Sequence, residues 1–143
     1  MNLFMKFIAI SFASLLLTHV AVATNDTADE KIKSFFELVE AGKHQEAVDT
    51  HMTPEVLTIM GGKLKSIVGQ MEGWGKAFGQ SRGFEKIYAE KISSRIAHHV
   101  YVLYYDGVPV TYSFFLYKEE DGWGIISFKF NTEFNNLSRY SPN

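Results

Sequence analysis

IAHHVYVLYYDGVPVTYSFFLYKEEDGWGIISFKFN, residues 96–131, holds 10 of the 21 aromatic residues of this 143-residue chain. A core must be built on it. It reads as three antiparallel strands, 96–105, 108–118 and 123–131. Asp106-Gly107 between apolar runs is a strong hairpin signal, because a two-residue turn needs residues that tolerate positive φ. That turn pairs Tyr105 with Val108, and hence Tyr101 with Tyr112 and His99 with Phe114. Ala97, His99, Tyr101, Leu103, Val110, Tyr112, Phe114 and Leu116 then share one face.

The next turn has two readings. A four-residue loop, 119–122, would put Ile126, Phe128 and Phe130 on the face away from Phe114. A three-residue loop, 120–122, pairs Glu119 with Trp123 and sets Leu116 against Ile126, Phe114 against Phe128 and Tyr112 against Phe130. Only the second makes one apolar face, and a one-residue slip would expose it, so it is the expectation. The other face, with Val100, Val102, Phe115 and Ile125, is too apolar to be wholly wetted. It is the expected surface for a homodimer.

Outward from the sheet, Thr27-Ala28-Asp29-Glu30 has the form of a capping box. It opens a helix over 28–41 whose core stripe is Ile32, Phe35, Phe36 and Val39. A second helix is expected over 44–52. A third starts at Thr53-Pro54-Glu55 and runs to Met71, with Gly61-Gly62 as a kink. The glycine-spaced stretch 72–83 reads as a loop whose Trp74 and Phe78 rim a pocket. An edge strand over 84–94, guarded by Lys86, Glu90 and Lys91, completes a sheet of at least four strands.

Residues 1–23 read as a cleaved signal peptide: Lys6, an apolar run over 7–17, and Ala21-Val22-Ala23 as the cleavage pattern. The expected organisation is signal peptide 1–23, one domain 24–135 and a flexible tail 136–143, in a periplasmic or secreted product. Cleavage removes Lys6, so 14 basic residues become 13 against 16 acidic ones and the formal charge goes from −2 to −3. The charges are interspersed, with no basic stripe for nucleic acid and no membrane association expected after cleavage. With no cysteine, thiol catalysis, cysteine–zinc sites and iron–sulfur clusters are excluded. Gly61-Gly62-Lys63 and Gly73-x-Gly75 lack the spacing and strand context of phosphate loops. His98 and His99 point to opposite faces of a strand, and His44 and His51 lie two helical turns apart. Neither a metal nor another cofactor is expected.

The order of elements, with Phe35-Phe36, Gly42 through Ala47, Thr53-Pro54-Glu55, Pro109 through Lys118 and Gly122 through Phe128, resembles the NTF2-like (cystatin-like, ketosteroid-isomerase-like) superfamily. The likeness is strongest to the small exported bacterial domains within it. It implies an α+β cone, three N-terminal helices packed on a curved antiparallel sheet, with a cavity between them. Members include isomerases, dehydratases, cyclases and binding domains, so fold does not select function. Isomerases of the superfamily use a pocket carboxylate, and the core face read above has none. It offers His99, Tyr101 and Tyr112, a candidate general acid/base and two oxyanion donors. These are equally residues that satisfy a polar tip inside an ordinary core. The candidate ligand pocket is His99, Tyr101, Tyr112, Phe114, Phe128, Trp74 and Phe78, for an apolar small molecule. The expected function is non-catalytic binding of such a molecule or of a protein partner; the alternative is an isomerase, lyase or cyclase using the His–Tyr pocket.

Overall fold

The computed structural model describes residues 27–140; the expected signal peptide and the last three residues lie outside them. Among the described residues four helices precede four strands. The helices are α1 (Ala28–Glu40), α2 (His44–His51), α3 (Pro54–Met60) and α4 (Gly62–Phe78). The strands are β1 (Ser81–Lys91), β2 (Ile96–Tyr105), β3 (Pro109–Glu119) and β4 (Gly122–Asn131), followed by a 3-10 helix, Leu137–Tyr140. The sheet is an antiparallel meander in the order β1-β2-β3-β4.

The capping box opens α1 as expected: Glu30 N–H donates to Thr27 Oγ1 at 3.2 Å, and Thr27 N–H donates to Glu30 Oε2 at 3.1 Å. The helix buries Ala28, Ile32, Phe35, Phe36 and Val39. The β2–β3 register is also as expected, with His99 opposite Phe114 and Tyr101 opposite Tyr112.

The expected third helix is two helices. Gly61 adopts φ 42° and ψ −119°, a conformation open to glycine and costly for any residue with a Cβ, so the pair breaks the helix rather than kinking it. The stretch 72–83 is not a loop. The core stripe Leu64, Val68, Met71 continues at the same period to Trp74 and Phe78, both packed against the core. That packing outweighs the roughly 1 kcal/mol that each of Gly73 and Gly75 costs a helix. The edge strand accordingly starts at Ser81 rather than at residue 84.

The β3–β4 turn is shorter than expected. Glu119 pairs with Gly122 around a two-residue turn, Lys118 with Trp123 and Leu116 with Ile125. A bulge at Ile126 then restores the expected pairs, Phe114 with Phe128 and Tyr112 with Phe130. One extra residue in one strand flips the facing on either side of it. Ile125, expected on the outer face, is therefore fully buried in the core. Its carbonyl accepts Thr53 N–H at 3.1 Å, and it bridges in parallel to Met52, tying the α2–α3 corner to β4.

Val100 and Val102 do lie on the outer face but are already buried within the single chain. The segment after β4 folds back over them. Its Tyr140 ring sits 4.8 Å from Tyr88, the β1 neighbour of Val100. Tyr88 in turn packs edge-on to His98, and His98 stacks on Phe115 at 4.4 Å. An aromatic row thus crosses three strands of the outer face.

Candidate functional site

The space between α1 and the sheet is filled by rings. Phe35, Phe36, Tyr112 and Phe114 are each at most 1% exposed. Phe36 meets Tyr112 edge-on at 5.2 Å and Phe114 at 5.6 Å; Phe35 meets Phe128 at 5.5 Å. Tyr112, Phe114 and Phe128 stack along the sheet. Trp74 and Phe78 close the end of this column, Trp74 edge-on to Phe130 at 4.9 Å and Phe78 against Tyr105. Burying a Phe side chain contributes about 1.5–3 kcal/mol, so these seven expected pocket residues divide. Tyr112, Phe114, Phe128, Trp74 and Phe78 pack on one another, and burial pushes the Tyr112 hydroxyl pKa well up.

His99 and Tyr101 do meet in one cluster, around a residue the sequence reading passed over. Asp29, in the first turn of α1, accepts the Tyr101 hydroxyl on Oδ1 at 2.9 Å and the Lys86 ammonium on Oδ2 at 2.6 Å. His99 Nδ1 lies 3.0 Å from the same Oδ1, close enough for an ion pair but too poorly aligned for a hydrogen bond. Asp29 shares a helical face with Ile32 and Phe36, three and seven residues on. That spacing was the available signal, hidden by the role of acids in a capping turn.

Burial would raise the Asp29 carboxyl pKa, but the hydrogen bonds from Lys86 and Tyr101 and the Lys86 charge together hold it below its ordinary value. Burial drives the His99 imidazole below its ordinary value, and the Asp29 charge opposes this without winning. Burial, with Asp29 beside it, pushes the Tyr101 hydroxyl pKa far up. At neutral pH the cluster is a carboxylate satisfied by Lys86 and Tyr101, beside a neutral imidazole. It fastens α1 to β1 and β2.

Three hollows lie elsewhere. One of about 510 Å³ opens between the end of α1, the α1–α2 corner, α4 and the start of β1, lined in part by His44, Glu72 and Tyr105. One of about 550 Å³ lies on the outer face between Val102, Tyr104, Phe134, Leu137 and Tyr140. One of about 240 Å³ lies at the α2–α3 corner beside His51 and Trp123. None of these three is lined by His99, Tyr101, Tyr112, Phe114 or Phe128. Among the described residues no group of three or more His, Asp or Glu could hold a metal ion, and no helix is long and apolar enough to cross a membrane.

No family model matches the chain, and no curated protein matches it. A crystal structure from Campylobacter jejuni named "Putative NTF2-like transpeptidase" superposes with a TM-score of 0.56 at 16% identity, covering 69% of this chain and 97% of that one. The fold is NTF2-like: helices packed on a curved, four-stranded antiparallel sheet. At that identity the likeness carries the fold alone.

Proposed function

We propose that this is an exported, non-catalytic NTF2-like domain that acts by binding, and that its protein partner is a second copy of itself, met through the outer sheet face. The observation that supports this reading is the filled interior. The space where the fold could house a substrate is occupied by Phe35, Phe36, Tyr112 and Phe114, which leaves the surface to carry function.

Three exposed large apolar side chains favour the outer face. Phe115 lies on it beside His98, and Tyr104 and Phe134 border its hollow; each is 37–38% exposed. With Ile125, Val100 and Val102 buried, the contact is narrower than the sequence suggests and centres on Phe115. A two-fold dimer sets the same patch against itself. Phe115 of each copy would then meet the apolar hollow of the other.

Size-exclusion chromatography with light scattering at high micromolar concentration tests this. The wild type is expected as a dimer and Phe115→Asp as a folded monomer. A monomeric wild type overturns the dimer.

A further inference from the structure

We propose that the C-terminal segment, residues 132–140, is a strap that closes over Phe115 of a second copy when that ring enters the outer-face hollow. The inference rests on the dimer proposed above and adds a moving part to it. The hollow, about 550 Å³, lies between this segment and the sheet. Ile87, Val102 and Pro109 line its sheet side, and Phe134, Leu137 and Tyr140 its strap side.

The strap is attached without being locked. None of residues 132–140 is buried. Among the described residues its hydrogen bonds stay within 131–140. Glu133 N–H donates to Asn131 Oδ1 at 3.0 Å, Leu137 N–H to the Phe134 carbonyl at 3.0 Å, and Arg139 to the Asn136 carbonyl. What holds the segment to the sheet is apolar, with the Tyr140 ring 4.8 Å from Tyr88. A segment with few buried contacts and no hydrogen bond to its neighbours opens at little cost. The Asn131–Glu133 bond sits where β4 ends and marks the hinge.

The hollow has the size of sites that take a whole small molecule, which is more than one phenyl ring needs. Close-packed contacts leave few voids larger than a water molecule, so an entering ring leaves space unfilled until the strap moves in. Phe115 is the ring placed to enter. It is 37% exposed on the same face, and His98, stacked on it at 4.4 Å with 6° between the ring planes, holds its orientation. Pro109 and Phe115 are six residues apart on β3, about 20 Å at about 3.4 Å per residue. A two-fold axis through the face midway between them, beside Thr111 and Ser113, sets each copy's Phe115 over the hollow of the other. Closure then buries Phe134 and Leu137 together with the incoming ring, so the contact that forms the dimer also orders the strap.

Hydrogen exchange read by mass spectrometry tests this on the unaltered protein, at low and at high micromolar concentration. The amides of 133–140 are expected to exchange about tenfold more slowly in the dimer. Phe115→Asp at the high concentration is expected to exchange there like the dilute wild type. In parallel, a chain ending at Asn131 is expected to keep its circular dichroism and to dimerise about tenfold more weakly by light scattering, the lower end of what burying one Phe side chain contributes. A wild type that dimerises with unchanged exchange in 133–140 overturns the strap and leaves the dimer standing. So does a folded shortened chain that dimerises as tightly as the wild type or more tightly. A wild type that stays monomeric removes the dimer and the strap together. If the shortened chain does not fold, exchange in the wild type alone decides.

Discussion

Tyr101 and Lys86 both donate to Asp29, and Lys86 crosses from β1 to reach the first turn of α1. Tyr101→Phe removes one of these hydrogen bonds to a half-exposed carboxylate, and about 1 kcal/mol of stability is expected to go with it. Urea unfolding checks this; an unchanged midpoint would mean that the Tyr101 hydroxyl adds nothing to the hold of Lys86 on Asp29. The histidines give a pH dependence. His44, His51, His98 and His99 all have folded-state pKa values driven below their ordinary 6.5, burial being the largest cause in each. Below 6.5 the unfolded chain therefore binds more protons than the folded one. The stability these residues contribute is complete above 6.5 and is lost as pH falls through the folded-state values. Asp29 acts in a lower window, contributing above its ordinary 3.8 and losing that contribution as pH falls further. The urea midpoint is expected to be lower at about pH 5 than at about pH 8 with an unchanged slope; a midpoint that rises on acidification contradicts the burial argument. At this scale the sequence was partly legible. His99 and Tyr101 were picked out, but Asp29 was not, because an acid in a capping turn already has a local explanation.

Among the elements, the corner that joins α2 and α3 to β4 is the tightest fit. A Cβ added at Gly124 would stand 2.5 Å from Thr53 Cγ2, and Thr53 is held there by its hydrogen bond to Ile125. Gly124→Ala is expected to cost about 1–3 kcal/mol, the usual penalty of overpacking, read as a fall in the thermal midpoint. A wild-type midpoint would mean that the corner yields. This corner also explains the misread turn. Hydrophobic alternation placed Phe114 against Phe128 correctly, but a bulge leaves alternation intact on each side of itself. A three-residue turn and a two-residue turn with a bulge therefore predict the same distant pairs. Only the segment between the turn and the bulge changes face, carrying Trp123 and Ile125 to the core side. Likewise the helical period past Met71 was present in Trp74 and Phe78, and the glycines between them masked it.

For the whole molecule, the α+β architecture and the NTF2-like fold were legible, since the aromatic content of 96–131 demanded a sheet core and the apolar stripes and the Thr27 capping box placed helices before it. The interior was not. A cone with a cavity and a cone filled with rings have the same patterning; they differ in how far α1 sinks its Phe35 and Phe36 toward Tyr112 and Phe114. The filled cone directs binding to the surface, and that is the central claim. Native mass spectrometry of the protein purified from the cells that make it tests it most directly. The expected result is a dimer of chains that begin near Thr24, with no apolar molecule retained. A monomer carrying a tightly held apolar ligand would contradict it.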